Sequence, residues 1–314
     1  MEAIVAKSKI TIVGAGNVGA TAAFIALNER IGDIVLIDII EGLPQGKALD
    51  MAQAGPIQNY DCKIKGTNDW ADTAGSNIVI ITSGMPRKPG MSRDDLLAKN
   101  TEIVKSVTTQ AVKFSPDCFI IVVCNPLDAM VNAAAKISGF ETNRVMGMAG
   151  ALDSARFACF IAEKLDVSVE KIQPVLMGGH GDDMVPLPRY TSVAGVPLTE
   201  MMDKKTIDEL VARTRSGGIE VVNLMGTSAY YAPAAGAVKM AKAILQDTKT
   251  LMPCCAYCGS EYGVGGCFVG VPVILGSNGV EKVVELGLDE NEKVQFAASA
   301  QHVKDLTAKV EKLL

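Results

Sequence analysis

No block of lysine or arginine stands out in this chain, and the formal net charge is -5. That argues against a nucleic-acid or anionic-membrane surface, both of which need clustered positive charge. Long apolar runs are also missing. The longest, such as Ile78–Thr82 and Phe119–Cys124, are strand-sized, far short of the ~20 residues that span a bilayer. The first residues carry neither a basic-then-apolar signal nor an Arg/Ser-rich transit pattern, so a cytoplasmic location is expected. There is no internal repeat, low-complexity stretch or long linker. Cysteines are present, but their spacing supports no metal site: Cys255-Ala-Tyr-Cys258 has no second C-x-x-C and no neighbouring histidine. It lies in a strand-like run rather than opening a helix, as a redox motif would. Cys118, Cys124 and Cys159 sit in apolar segments and read as small buried hydrophobes.

Histidine is scarcest of the chemically useful residues, with two in 314. One lies in Gly178-Gly179-His180-Gly181-Asp182-Asp183, just after the apolar run Ile172–Met177. Histidine changes charge near neutral pH, and glycines on both sides give the ring no apolar wall. His180 therefore reads as a residue at a strand end facing a cleft. Taken alone it reads rather as a hydrogen-bonding turn residue, and the other motifs reverse that preference.

The hydrophobic content of 48% and charged content of 21% are those of an ordinary globular protein. In the first half, apolar strands alternate with helices: strands at Lys9–Val13, Asp33–Asp38, Cys62–Gly66, Asn77–Thr82 and Cys118–Cys124, with helices between them, the longest Asp94–Phe114. This predicts an α/β fold, a doubly wound parallel sheet covered on both faces. From about residue 149 the pattern becomes α+β. Helices are predicted at Ala151–Leu165, Lys204–Arg215, Ile219–Gln246 and Asp289–Leu313, and strands at Thr250–Cys258 and Cys267–Leu275. The last helix carries Val294, Ala297, Ala298, Val303 and Leu306 at helical spacing. Two domains are expected, 1–148 and 149–314.

The first strand ends in Gly14-Ala15-Gly16-Asn17-Val18-Gly19, a G-x-G-x-x-G between strand and helix. Such a turn lets a pyrophosphate approach the backbone and places it at a helix N-terminus. The next strand ends at Asp38. A carboxylate there accepts from the adenosine ribose and repels a 2′-phosphate, which selects NAD over NADP. A glycine-rich turn alone would leave Asp38 unexplained. Thr82, Gly84, Val123 and Asn125, at or just past the C-terminal ends of parallel strands, are expected along the same cofactor cleft, together with Asn100 in the helix Asp94–Phe114.

Asp153 and Arg156 in Leu152-Asp153-Ser154-Ala155-Arg156 share a helix face. They form either a surface ion pair or a working pair, with Asp153 holding the His180 ring and Arg156 forking onto a substrate carboxylate. The loop Gly84-Met-Pro-Arg87-Lys-Pro-Gly-Met-Ser-Arg93-Asp-Asp reads either as a solvated charged loop or as a lid bearing two arginines. Asn125 is a candidate donor to a substrate oxygen, and Ser228 a candidate for the pocket wall.

Together these motifs, IVGAGNVG, GMPRKPGMSRDDLL, NPLDAMV, LDSARF and GGHGDDMVPL in this order, resemble the lactate/malate dehydrogenase family over essentially the whole chain, and within it the lactate-dehydrogenase-like malate dehydrogenases. The resemblance implies that His180 is the proton donor and acceptor and Asp153 its partner. It implies that Arg156 grips the substrate carboxylate, that Arg93 polarises the reacting carbonyl, and that Arg87 reads the far carboxylate of a small dicarboxylate. It also implies NAD as cofactor and a homo-oligomer, a tetramer or a dimer. Competing readings are a lactate or broader 2-hydroxyacid dehydrogenase, a catalytically silent NAD-binding protein, and a thiol redox protein using Cys255 and Cys258.

Arg87 is the residue that separates oxaloacetate from pyruvate in this reading. A site built for a polar group rejects its apolar analogue by about 10⁴–10⁵, because the buried arginine is left unpaired. Arg87→Gln is expected to shift preference from oxaloacetate toward pyruvate in steady-state kinetics. Unchanged selectivity would remove Arg87 from this role.

Overall fold

The protein is described by a computed structural model covering residues 7–85 and 92–314. The first half runs β1 (Lys9–Val13), α1 (Asn17–Asn28), β2 (Asp33–Ile37), α2 (Leu43–Gln58), β3 (Ile64–Thr67), β4 (Ile78–Ile81), α3 (Arg93–Phe114), β5 (Phe119–Val122), α4 (Leu127–Ser138) and β6 (Val145–Gly147). These strands pair in parallel in the order β3-β2-β1-β4-β5-β6. The order reverses between β1 and β4, which opens the crevice in which open α/β sheets bind ligands. Ile78 to Ile81 are all buried, as strands covered on both faces require.

The second half runs α5 (Ala149–Leu165), β7 (Ile172–Gln173), β8 (Leu176–Gly178), β9 (Met184–Pro186), β10 (Ser192–Val193), β11 (Val196–Pro197), α6 (Leu198–Met201), α7 (Lys204–Met225), α8 (Tyr231–Leu245), β12 (Thr250–Cys258), β13 (Cys267–Gly276), β14 (Gly279–Val283) and α9 (Glu290–Glu311). The sheet does not stop at the change of pattern. β12 joins β6 antiparallel at Cys255 and Gly147, then β13, β8 and β9 follow, with β14 off β13. One sheet thus carries the glycine-rich turn and the His180 turn.

Three expectations are corrected. The helix predicted to start at Ile219 is continuous with the one before it. α7 runs through Gly217 and Gly218 to Met225 and stops at Gly226 in the left-handed conformation (φ 70°). In α9 the buried stripe is Phe296, Ser299, Ala300, Val303 and Val310, while Val294 is 68% exposed. Polar Ser299 faces inward because it has a partner there, so apolarity alone misplaced the face. Cys159 is exposed, not buried. Its neighbours Phe157 and Ile161 point inward, and at helical pitch the residue midway between them faces out.

Among the described residues, no helix is long and apolar enough to cross a membrane, and no cluster of His, Cys, Asp or Glu is arranged to hold a metal ion.

Candidate active site

Gly14 sits where β1 ends, at φ 105°, a conformation that L side chains rarely adopt. Gly19 lies on α1 so close to this turn that a Cβ would come within 1.8 Å of the Gly14 carbonyl oxygen. Only glycine lets helix and strand approach this closely. Gly16 is the N-cap of α1 and gives it no side-chain cap. The first-turn amides, those of Asn17, Val18 and Gly19, therefore face outward without an intrahelical acceptor. A Cβ on Gly16 would meet nothing within 4 Å, leaving open space over those amides. The Ser83 hydroxyl beside the turn is buried with no partner among the described residues. Open backbone donors, a helix N-terminus and an orphaned hydroxyl fit the pyrophosphate of a dinucleotide.

The Asp38 carboxylate accepts from the Ala15 amide at 2.6 Å and from the Ile40 amide at 2.9 Å, so it fixes the turn while retaining lone pairs for a diol. Thr82 donates to the Val13 and Gly14 carbonyls. Gly84 packs against Cys124, and Val123 is buried where β5 ends. Asn125 is exposed and precedes a cis peptide to Pro126. Asn100 is the most buried member of this group. It is 1% exposed, and its amide is taken up by Met85 and the Asn125 carbonyl. It ties together the segments that follow β4 and β5. Lys47, which the sequence did not single out, donates to the Ala15 carbonyl at 2.7 Å.

The second cluster is built on the start of α5. Asp153 is 3% exposed, and its Oδ2 lies 2.8 Å from His180 Nδ1 while its Oδ1 accepts from Arg156 at 3.4 Å. The pair is buried, not a surface ion pair. A carboxylate accepts only, so Nδ1 carries the proton and Nε2 is the ring atom left for the cleft. Burial, the largest single influence, pulls the His180 pKa down, and the Asp153 carboxylate pushes it up. With a smaller contribution from Asp128 and opposition from Arg156, the net pKa lies above the ordinary value.

Arg156 reaches this position because α7 has Gly217 and Gly218 where it passes. A Cβ on Gly217 would stand 3.2 Å from Arg156 Cδ, and one on Gly218 3.5 Å from its Nη2. In the sequence these glycines looked like a helix break. Ser228 is exposed in the loop between α7 and α8. Arg87 lies outside the described residues, as does the side chain of Arg93, whose backbone starts α3 behind the Ser92–Asp95 capping box.

The thiols do not form a competing centre. Cys255 and Cys258 are three apart on β12 and so point to opposite faces of the sheet. Burial pushes Cys258 up to about 12 and Cys255 well above its usual range, away from the reactive thiolate.

A dinucleotide cradle and a His–Asp–Arg cluster on one sheet define a nicotinamide-dependent dehydrogenase. Residues 8–147 match the lactate/malate dehydrogenase NAD-binding domain, and residues 150–314 match the α/β C-terminal domain of the same family. The chain belongs to the lactate/malate dehydrogenase family; it is an oxidoreductase, and NAD is its cofactor. It is similar to the malate dehydrogenase of Salinibacter ruber, 58% identical over 296 residues, 94% of each chain. The solved structure of the malate dehydrogenase from that organism superposes with a TM-score of 0.94, covering 97% of this chain and 98% of the other at 54% identity. The lactate dehydrogenase of Cryptosporidium parvum, solved with lactic acid and NAD, matches at TM-score 0.95 and 42% identity, over 98% of this chain and 99% of the other.

Gly217→Val tests the passage for Arg156. Valine is no worse than glycine in a helix, and the atoms nearest its Cβ belong to the flexible Arg156 side chain, so the fold is expected to hold at an overpacking cost of about 1–3 kcal/mol. The branched side chain displaces the guanidinium, and a small misplacement of a positioning group costs up to about 10²-fold. KM for the oxo-acid substrate is expected to rise about tenfold or more while NADH affinity stays the same. An unchanged KM would show that the glycines serve only helix packing.

Proposed function

We propose that the chain catalyses reversible hydride transfer between malate and NAD, giving oxaloacetate, with His180 as general acid and base. The observation that carries this reading is the 2.8 Å contact between His180 Nδ1 and buried Asp153 Oδ2. It leaves Nε2 as the proton-carrying atom. NAD, when bound, would supply the hydride acceptor for malate C2, and its reduced form the hydride donor in the reverse direction.

In oxidation, neutral His180 takes the hydroxyl proton; in reduction, its protonated form gives that proton to the carbonyl oxygen. Asp153 keeps the ring oriented and stabilises its charged form. Arg156 holds the substrate carboxylate as a planar fork. Arg93 stabilises developing negative charge on the reacting oxygen, and Arg87 takes the second carboxylate. Asn125 and Ser228 complete the substrate pocket. The cofactor would be held by Gly14, Gly16, Asn17, Val18, Gly19, Asp38, Thr82, Gly84, Asn100, Val123 and Asn125, with Asn100 also holding the Asn125 backbone in place.

Malate is favoured over lactate because relatives at 52–58% identity over nearly the whole chain are malate dehydrogenases. The lactate dehydrogenase match stands at 42%. Residues 1–148 serve as the dinucleotide-binding domain and 149–314 as the catalytic domain. The protein works in the cytoplasm as a homo-oligomer, a tetramer or a dimer. Eight free cysteines accord with a reducing compartment. Exposed Ile219, Val222, Leu224 and Met225 near the end of α7 accord with a covered apolar face.

The substrate test compares kcat/KM for NADH oxidation with oxaloacetate and with pyruvate. Oxaloacetate is expected to be preferred by several orders of magnitude. Comparable efficiency with pyruvate would overturn malate as the substrate.

The pH dependence tests the acid–base assignment. Oxaloacetate reduction needs the imidazolium, so kcat/KM falls as pH rises through the His180 pKa of the free enzyme. That pKa is raised chiefly against burial by Asp153. Asp153→Asn is therefore expected to move the falling limb to lower pH. It is also expected to reduce kcat by about 10²–10⁴, the usual range for acid–base catalysis. The rise of malate oxidation with pH is expected to move in the same direction. Unmoved limbs would refute the pairing.

A further inference from the structure

β8 and β9 pair only as far as Gly178 and Met184. The next two amides, those of Gly179 and His180, run past the end of the ladder and need other acceptors. Two side chains from two different helices supply them. Asp128 Oδ2, in the first turn of α4, accepts from the His180 amide at 2.9 Å. Ser299 Oγ, in the middle of α9, accepts from the Gly179 amide at 2.8 Å and donates to the Asp183 carbonyl at 2.7 Å, bridging the far side of the turn. The turn is closely packed: a Cβ on Gly179 would lie 3.0 Å from Val303 and 3.3 Å from the Asp183 Cβ.

Asp128 is an expensive choice at this position. Its side chain is buried, and Oδ1 has no hydrogen-bond partner among the described residues. Burial raises its pKa despite the His180 amide and the nearby Cys255 thiol, which both favour the carboxylate. An apolar residue of similar volume avoids that desolvation, but it offers no acceptor to the His180 amide. Asp128 also stands three residues from Asn125, at the cofactor edge of the sheet.

We propose that Asp128 and Ser299 are positioning residues that clamp the His180 turn, Asp128 by accepting the His180 amide and Ser299 by accepting the Gly179 amide, so that the proton-carrying ring is held in register with the cofactor edge to which α4 is joined. Asp153 orients the ring; this clamp fixes the backbone from which the ring hangs. The inference rests on the reading of His180 as proton carrier.

The test compares Asp128→Val, Asp128→Asn and Ser299→Ala with the unmodified enzyme and with His180→Asn. Valine fills the volume without an acceptor, whereas asparagine keeps an acceptor oxygen. Asp128→Val is expected to lower kcat for oxaloacetate reduction at least tenfold, with the Kd for NADH within twofold of the unmodified enzyme. Asp128→Asn is expected to recover most of that loss, and Ser299→Ala to lower kcat at least threefold with NADH binding unchanged. Equal kcat in the valine and asparagine variants, whether both normal or both depressed, overturns the proposal. Should Asp128→Val fail to fold, Ser299→Ala decides, and an unaltered kcat there overturns the clamp. Failure of the parent reading looks different, because His180→Asn itself would then turn over normally.

Discussion

The Asp153 carboxylate is the interaction on which the rest of the site depends. One oxygen meets the His180 ring and the other meets Arg156. It therefore orients the proton carrier and the substrate-holding arginine from one buried point. With the ring protonated, ring, carboxylate and guanidinium sum to one positive charge, suited to an anionic substrate. Removing either partner leaves a buried charge less compensated, a change worth about 3–5 kcal/mol for buried pairs in general. The cluster thus behaves as a unit, and substitutions within it are expected not to add independently.

The scaffold meets two requirements at once. A cofactor crevice is created by the strand-order reversal between β1 and β4. The His180 turn stands on β8 of the same sheet, reached through the antiparallel strands β12 and β13. A continuous sheet is a stiff connection, because each strand is hydrogen-bonded to its neighbours. Helices then make the finer adjustments. α5 holds the ring, α7 makes room for Arg156 at Gly217 and Gly218, and α4 and α9 take the loose amides of the turn.

The parallel strands and the glycine-rich turn were legible in the sequence because both are local signals, apolar runs and glycine spacing next to a strand. His180, Asp153 and Arg156 were legible as types, and the contact between His180 and Asp153 is a product of the fold. What was not legible depended on distant partners. Gly217 and Gly218 read as a break because their reason, Arg156, lies on another helix. Ser299 carried no signal in the sequence, because its acceptor role serves a turn far away along the chain. The partners of Asn100 were not legible either: from inside α3 its amide bonds Met85 and the Asn125 carbonyl. Cys159 read as buried from its apolar neighbours, although the helix turns it outward.

Asp153 holds His180 with Nδ1 protonated and its pKa raised. NMR titration of the ring tests this directly. The chain has only two histidines, so His302→Gln assigns the signals. The account predicts that the neutral ring carries its proton on Nδ1 and titrates above 6.5, the ordinary histidine value. A midpoint at or below 6.5, or a neutral ring protonated on Nε2, would contradict it.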